Sequence, residues 1–299
     1  MAQPAFSRIV LLGHTGYIGS RLAPAFRAAA PGVPIVGRSA PTLDLTTPGA
    51  SQALADLVDA DAALIVCSAI KKQLGDTAEI FQQNLAIVLN VCRALAARPV
   101  RRVVFFSSAA VYGEDVQHGV ISEATGVQPT SFYGIGKFTA ERLLARTVAA
   151  LPDTSLLMLR PALVYGPHEP GYYYGPSGFL GKAIDNSPIT LWGDGSELRE
   201  FLFVDDVVAL TVRLTLGEAS GVLNVVSGTS YTYVEALAET AAVVGRDPHV
   251  QTRARTKEKV DHRFDARRLQ QLCPGFAFTP LADGIRRVAA AIAAPEARA

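Results

Sequence analysis

The sequence predicts an α/β protein built on a Rossmann-type, doubly wound parallel sheet, followed by a smaller mixed α/β lobe toward the C-terminus. Two observations lead to this prediction. Short, nearly continuous apolar runs alternate with longer helical patterns over the first half of the chain, and the sequence changes character after Arg160. Apolar strands separated by amphipathic helices are typical of a parallel sheet that is covered on both faces.

Five segments carry the pattern of a buried strand, namely RIVLL (8–12), VPIVG (33–37), AALIVC (62–67), RVVFFS (102–107) and SLLMLR (155–160). Helical patterns lie between them at 17–30, 78–97 and 138–150. Crossovers between parallel strands are right-handed, so such a series winds into a doubly wound sheet. Residues 161–178, which are rich in proline, glycine and tyrosine, predict a loop directly after the fifth strand.

The composition narrows the class of protein. With 49% hydrophobic and 18% charged residues, the chain is globular, and its net charge of +1 favours neither nucleic acid nor an anionic membrane as a partner. No uninterrupted apolar run reaches the ~18 residues that span a bilayer, and the N-terminus carries no export pattern. Three scattered cysteines without a CxxC pattern argue against a disulfide framework or a metal site. We expect a cytoplasmic protein.

A glycine-rich segment, GHTGYIG, follows the first strand pattern and opens the first helix pattern, with Gly13, Gly16 and Gly19 in GxxGxxG spacing. In this setting glycines permit a tight turn and close approach of the backbone to a pyrophosphate, which the N-terminus of the helix attracts. The sequence therefore predicts a dinucleotide site, although a glycine-rich turn without a ligand is the alternative. Three further residues of the same loop are expected to contact the cofactor: Thr15, Tyr17 and Ile18.

The end of the second strand bears on the choice of cofactor. NAD-binding proteins commonly place a carboxylate there, whereas this chain has Arg38, which could accept the 2′-phosphate of NADP(H). NADP(H) is therefore favoured and NAD(H) is possible, since Arg38 could instead stack on adenine. Asp44 and Leu45 are expected to border the adenine, with a helix-capping role as the alternative for Asp44.

Tyr133 and Lys137, in the segment SFYGIGK, are spaced four residues apart. In a helix this spacing puts both side chains on one face. An ammonium beside a phenol favours the phenolate, which would lower the tyrosine pKa toward neutrality. The pair is therefore a candidate acid/base device, although an ordinary amphipathic helix has the same pattern.

Together these segments resemble the extended short-chain dehydrogenase/reductases that act on nucleotide sugars. The resemblance covers the chain from Ile9 to about Arg286, with the motifs GHTGYIG, SSAAVYG (107–113), YGIGK (133–137), RPALVYGP (160–167) and REFLFVDDV (199–207) in the family's order. It implies that Tyr133 exchanges a proton with a sugar oxygen and that Ser108 hydrogen-bonds the same oxygen. It also implies that Lys137 lowers the tyrosine pKa and binds the nicotinamide ribose.

Further roles follow from the same resemblance. Arg199 matches an arginine that contacts the substrate diphosphate, and Arg255 is the expected second one, with Arg253 or Arg263 as alternatives. Asn84 lies where the family keeps an asparagine near the cofactor, although a helix-to-loop hydrogen bond would explain it too. The remaining residues expected at the cofactor are Ser68, Ala69, Ser107 and Pro161.

The resemblance also implies that different parts of the chain bind the cofactor and the substrate. We expect an NAD(P)-binding Rossmann domain over 1–165, to which strands from 201–228 return, and mainly a substrate-binding lobe over 166–299. The expected partner is a nucleotide-diphosphate sugar. Many members of the family dimerise through two helices, here 84–97 and 133–150, so a homodimer is expected.

Departures from the family's motifs narrow the reaction. The 4,6-dehydratases carry an Asp-Glu pair after the catalytic Ser/Thr, whereas this chain has Ala109 and Ala110. Double epimerisation at C3 and C5 needs a cysteine and a histidine, where Ala110 and roughly Gly178 stand, and Leu163 replaces an asparagine that many epimerases keep. The family reactions that remain are those that transfer a hydride at a single carbon of the sugar.

Three functions are compatible with that chemistry. Arg38 and the short connection after the second strand favour a 4-keto-6-deoxy-sugar reductase, and an NAD-dependent C4 epimerase is the first alternative. A non-catalytic NADP(H)-binding sensor is an alternative of another class. The presence of Ser108, Tyr133 and Lys137 together argues against the sensor.

Overall fold

A computed structural model of the protein describes residues 6–170 and 175–294. Its strands are β1 Ile9–Leu12, β2 Ile35–Arg38, β3 Ala63–Val66, β4 Arg102–Phe106, β5 Val120–Ile121, β6 Ser155–Pro161, β7 Leu163–Tyr165, β8 Ile189–Trp192, β9 Leu198–Arg199, β10 Phe201–Phe203, β11 Gly221–Val225, β12 Tyr231–Thr232, β13 Val250–Arg253 and β14 Arg263–Phe264. Its α-helices are α1 Gly19–Ala29, α2 Ala50–Ala55, α3 Ala78–Ala97, α4 Phe132–Val148, α5 Gly175–Ile184, α6 Val204–Leu216, α7 Tyr233–Val244, α8 Arg267–Leu272 and α9 Leu281–Ala293.

Six strands form one parallel sheet in the order β11-β6-β4-β3-β1-β2. Strand β1 lies inside it, with Ile9 opposite Ile35 of β2 on one side and Ala63 of β3 on the other. The chain thus runs outward from β1 to β2 and then returns to β3 on the other side of β1. This parallel, doubly wound arrangement confirms the predicted Rossmann-type fold class.

Alternate residues of the strands pack into two separate cores, one on each face of the sheet. Ile9 and Leu11 of β1 belong to a cluster that includes Phe26 of α1, together with residues of α6 and α8. Val10 of β1 belongs to a cluster on the other face, with Leu144 of α4 and residues of α2 and α3. Because successive side chains of a strand point to opposite faces, strands covered on both sides must be apolar throughout.

The C-terminal part of the chain has its own core, which gathers residues from β7, α5, β8, β10, α7 and α9. Strand β11 crosses back to pair with β6 in the main sheet, whereas β10 pairs with β7 in a separate two-stranded sheet. The two halves are therefore interleaved. The domain boundary at residue 165 stays a prediction.

Two predicted elements differ in the structure. Helix α4 begins at Phe132 and not at 138, because the Ser131 side chain caps it by accepting a hydrogen bond from the Gly134 backbone. The segment 161–178, predicted as loop, contains strand β7 and the start of α5, because β7 finds a pairing partner in β10 that is distant in sequence. Residues 171–174 of that predicted loop lie outside the described residues.

Within the described ranges one helix, α3, is long and apolar enough to cross a bilayer by length and composition, with a mean hydropathy of 1.3. Helices of globular cores pass the same test. In this protein Val91 and Leu95 of α3 are fully buried in the core beneath the sheet, and Asn90 donates hydrogen bonds to the backbone of Leu45 and Thr47. The expectation that no membrane is a partner stays a prediction.

A buried ion pair joins helix α4 to the central sheet. Arg160 of β6 donates two hydrogen bonds to the carboxylate of Glu141 in α4, at 2.8 and 2.5 Å. Both side chains are more than nine-tenths buried. The third donor of Arg160 reaches the hydroxyl of Tyr112, which in turn donates to the side-chain oxygen of Asn224 in β11. Helix α4 is thereby fixed to β6 and, through Tyr112, to β11.

Breaking this pair on one side should destabilise the protein strongly. Glu141→Gln leaves the Arg160 charge buried without its counter-ion, which typically costs about 3–5 kcal/mol. Urea unfolding followed by circular dichroism measures the loss. The matched control is Arg286→Gln, which breaks the exposed pair with Asp283 and should cost under about 1 kcal/mol. A loss for Glu141→Gln as small as that of the control would contradict a structural role for the pair.

Candidate functional site

A large cleft opens where the strands of the main sheet end. Its walls include residues that follow β1, β2, β3 and β4 and the last residue of β6, and its volume is about 1060 Å³. Parallel α/β sheets bind ligands in a crevice at the carboxyl ends of the strands. Most of the predicted site residues line it: Gly13, Thr15, Gly16, Tyr17, Ile18, Gly19, Asp44, Leu45, Ser68, Ala69, Ser107, Ser108, Tyr133, Lys137, Pro161 and Arg199.

The glycine loop has the tight geometry that its sequence predicts. Gly13 has φ of +81°, and its N–H donates to the carbonyl of Arg38 at 2.7 Å, which fixes the loop to β2. A Cβ on Gly19 would lie 2.1 Å from the Gly13 carbonyl oxygen, so a larger residue would force the turn open. Helix α1 begins here without a side-chain cap and without an acidic residue in its first turn. The positive end of the helix dipole therefore faces the cleft without a competing acidic side chain, which suits a pyrophosphate.

The segment that is expected to border the adenine forms a turn. Asp44 lines the cleft, but its carboxylate accepts hydrogen bonds from the backbone N–H and the hydroxyl of Thr46, at 2.9 and 2.7 Å. These bonds hold the pKa of Asp44 below its usual value. Leu45 also lines the cleft, and its carbonyl accepts from Asn90. Asp44 thus stabilises a local turn at the cleft rim.

The three predicted catalytic residues come together on one wall. Ser108 follows β4 and caps a short 3₁₀ helix by accepting from the Ala110 N–H, and its side chain lies close enough to Tyr133 to lower the tyrosine pKa. Tyr133 and Lys137 lie one turn apart in α4, and the Lys137 ammonium is 5.7 Å from the centre of the Tyr133 ring. Lys137 donates to the carbonyl of Phe106 at 2.6 Å.

The ionisation of this pair differs from the prediction. Burial raises the pKa of Tyr133 to about 12, and neighbouring Glu114 also raises it, whereas the Ser108 side chain lowers it. Burial lowers the pKa of Lys137 to about 8, against the effect of Cys67 and Glu141. The expectation that Lys137 draws the tyrosine pKa toward neutrality is wrong for the protein as described. The removal of Tyr133 from water has a larger effect on its pKa than the Lys137 ammonium, which faces the ring and donates to a carbonyl.

Three predicted site residues do not line the cleft. The guanidinium of Arg38 donates to the carbonyl of Gly37, so Arg38 serves the site through its backbone. Asn84 donates to the carbonyl of Ile70 and accepts from its N–H, which is the helix-to-loop alternative. Arg255 is held by the carboxylates of Asp194 and Glu197, at 2.7 and 2.5 Å.

The alternatives to Arg255 do not line the cleft either. Arg253 lies over the exposed Trp192 ring, and Arg263 is exposed. Arg199 does line it, and its guanidinium donates to the carbonyls of Leu198 and Val260 at 2.9 and 2.6 Å.

The structure adds polar residues that the sequence analysis missed. Lys71 and Glu169 line the cleft near the glycine loop, with the Lys71 ammonium 5.4 Å from the centre of the Tyr17 ring. Glu200 and His262 line it beside Arg199. Glu200 directly follows Arg199 in a quoted motif and could have been found. The others lie in loops or short strands whose position only the fold supplies.

The family of the chain follows from comparison with known proteins. Residues 9–225 match the model of the NAD dependent epimerase/dehydratase family, and the chain belongs to this family. A UDP-glucose 4-epimerase from Mycolicibacterium smegmatis is 32% identical over 237 residues, which cover 69% of this chain and 72% of that protein. The predicted resemblance is thereby confirmed.

Other comparisons differ in coverage. An uncharacterized UDP-glucose epimerase, YtcB, from Bacillus subtilis is 30% identical over 161 residues, and the chain spans about half the length of that relative, 48% of each protein. The chain spans still less of several relatives from Arabidopsis thaliana. Among solved structures, MoeE5 in complex with UDP-glucuronic acid and NAD is similar with a TM-score of 0.82 and 26% identity, covering 95% of this chain and 98% of that one.

Proposed function

We propose that the protein is an NAD-dependent epimerase that inverts C4 of a nucleotide-linked sugar. The observation that carries the proposal is the convergence of Ser108, Tyr133 and Lys137 on the wall of a cleft that also contains the glycine loop and Arg199. The similarity to MoeE5, solved with a UDP-sugar and NAD, supports the substrate class.

Proton movement is the part of the reaction that this chain performs itself. NAD, when bound along the glycine loop, supplies a hydride acceptor. The Tyr133 phenol exchanges a proton with the C4 oxygen of the sugar, and the neighbouring Ser108 orients that oxygen. Lys137, fixed by the Phe106 carbonyl, places a positive charge beside the phenol ring as the phenolate forms. Arg199, which lines the cleft, would bind the substrate diphosphate.

The same wall disfavours neighbouring reactions of the family. Ala109 and Ala110 line the cleft beside Ser108, and neither can transfer a proton. A dehydratase needs a second acid/base pair to eliminate water from the sugar, so hydride transfer and proton exchange at one carbon remain.

The second candidate is a reductase of 4-keto-6-deoxy sugars that uses NADPH. It is favoured by the identity of Arg38 at the end of β2, where a carboxylate would select NAD. The contact of the Arg38 guanidinium with its own strand favours the epimerase instead. The non-catalytic sensor is the outcome if no nucleotide sugar is turned over.

Tyr133→Phe should lose most turnover, because it removes the atom that carries the proton and leaves the ring packed. Positioned proton transfer contributes about 10²–10⁴-fold. C4 inversion of UDP-glucose and UDP-glucuronic acid, followed by NMR, measures the effect. The control is Tyr165→Phe, which loses a buried hydroxyl that contacts Leu281 away from the cleft. A Tyr133→Phe rate within about threefold of wild type would refute the catalytic assignment.

The cofactor separates the two candidate reactions. For the epimerase we expect NAD that survives purification, sugar inversion without net absorbance change at ~340 nm, and an Arg38→Ala variant whose NADH and NADPH affinities stay within about twofold of wild type. Fluorescence titration of both nucleotides measures the affinities. A selective loss of NADPH binding of tenfold or more, the worth of a charged hydrogen bond of about 1.5–3 kcal/mol, would establish the reductase candidate instead.

We also propose a homodimer that forms through α3 and α4. Phe132 and Ile135 on α4 are exposed by 43% and 39%, and Phe132 lies 6.3 Å, centre to centre, from the ring of Phe81 on α3. Burial of these apolar side chains would stabilise a helical interface. Light scattering should give the mass of two chains, and Phe132→Glu should shift it toward one. A wild-type mass of one chain at micromolar concentration would contradict the dimer.

A further inference from the structure

The wall of the cleft that carries Arg199 also carries a histidine, His262, just before β14. Its backbone N–H donates to the carbonyl of Leu198 at 3.0 Å, and its carbonyl accepts from the Ser230 hydroxyl at 2.9 Å. The side chain of Asp261 accepts from the Leu198 N–H, so two bonds join this segment to β9. His262 is therefore held rigidly beside Arg199.

The imidazole of His262 has an unsatisfied polar atom. Its Nε2 is buried and finds no hydrogen-bond partner among the residues that the structure describes. The ring packs edge-on against Phe264, with centres 6.3 Å apart, and both residues line the cleft. A buried nitrogen without a partner costs free energy, and such an atom at the wall of a binding cleft is expected to receive its partner from a ligand.

The charges around His262 show which ligand would suit it. Burial lowers its pKa to about 4, and the charges of Arg199 and His118 lower it further, against the backbone of Gly113 and the carboxylate of Asp261. Without an anion the ring is therefore neutral at physiological pH. The diphosphate of a nucleotide sugar carries two negative charges. Arg199 offers one positive charge, which is partly offset by the Glu197 carboxylate at 3.6 Å.

Among the described residues, the other cationic side chains near this wall already have partners. Arg255 is neutralised by Asp194 and Glu197 and does not line the cleft, and the neighbouring Glu200 is a carboxylate that accepts from the backbone of Ser227 and Gly228. Lys71 and Lys72, which also line the cleft, are engaged elsewhere, beside Tyr17 and with Glu114.

We propose that His262 is a second ligand of the substrate diphosphate beside Arg199, and that it binds this group as the imidazolium, so that substrate binding takes up a proton. The proposal rests on the proposed function, because it needs a nucleotide-diphosphate substrate. Nε2–H would donate to a phosphate oxygen in a charge-assisted hydrogen bond.

The expected pH dependence of substrate affinity follows from the direction in which a bound diphosphate shifts the pKa of His262. An anion within hydrogen-bond reach favours the charged ring and raises its pKa by about 1–3. Between the pKa of the free protein, about 4, and the higher pKa of the complex, binding takes up a proton. Affinity is then greatest at low pH and falls as pH rises through the pKa of the complex. Arg199, His118, Asp261 and Glu200 are the charged or titratable groups whose own changes must be separated from this effect.

Isothermal titration calorimetry of UDP-glucose into the cofactor-loaded Tyr133→Phe variant tests the proposal without turnover. UDP-glucose is preferred to UDP because its diphosphate is a diester and does not titrate in this range. Titrations at pH 5.5 to 6 in two buffers with different ionisation enthalpies give the number of protons taken up. We expect an uptake of several tenths of a proton and an affinity that falls about tenfold between pH 5 and pH 8.

Three variants in the same background isolate His262. His262→Asn should abolish the proton uptake and give a pH-independent affinity for UDP-glucose, as weak as that of the parent variant at high pH. His262→Arg should give a pH-independent affinity as tight as that of the parent variant at low pH. His118→Asn, the matched control, removes a neighbouring ring whose Nε2–H donates to the Tyr112 carbonyl at 2.7 Å, and it should keep the uptake. If UDP-glucose binds but the uptake is absent, or persists in His262→Asn, the proposal is wrong and the proposed function stands. If UDP-glucose does not bind, both are wrong for this substrate class.

Discussion

The buried pair of Glu141 and Arg160 is the constraint on which the wall that carries Tyr133 and Lys137 depends. Glu141 lies one helical turn beyond Lys137, so fixing its carboxylate on β6 fixes the rotation of α4 and hence the direction in which Tyr133 and Lys137 face. The same carboxylate accepts a hydrogen bond from Ser107, next to Ser108. One interaction thus aligns the helix and the strand end that supply all three candidate catalytic residues. A buried pair is costly to desolvate, which suits a role in geometry more than in net stability.

The site lies where two parts of the fold meet. The half that is expected to bind the cofactor is built from the carboxyl ends of β1, β3 and β4. Arg199 lies in the short strand β9 and His262 directly precedes β14, both much later in the chain. The carbonyl of Arg38 holds the glycine loop from one side, and the Phe106 carbonyl holds Lys137 from the other. Backbone atoms at strand ends therefore do much of the positioning, because their places are set by the sheet register.

Burial is the main influence on the ionisation of the more deeply buried groups of this cleft. It raises the pKa values of Tyr133, Cys67 and Glu200 and lowers those of Lys137 and His262, each toward the neutral form. Tyr133 and His262 are neutral at physiological pH when the cleft is empty, and such buried groups respond strongly to a charged ligand, since each new charge acts in a medium of low polarity. The proposed diphosphate binding by His262 is one instance, and the pairing of Lys137 with the Tyr133 phenol is another.

The sequence by itself determined the fold class, the five early strands, the glycine loop and the residues Ser108, Tyr133 and Lys137, because these depend on local spacing and on apolar patterns that repeat along the chain. It did not determine the direction of the Arg38 side chain, the neutralisation of Arg255 by Asp194 and Glu197, or the place of His262 in the cleft. Only the tertiary structure decided these. A side chain's partners and its access to water are set by segments distant in sequence, and ionisation follows from both.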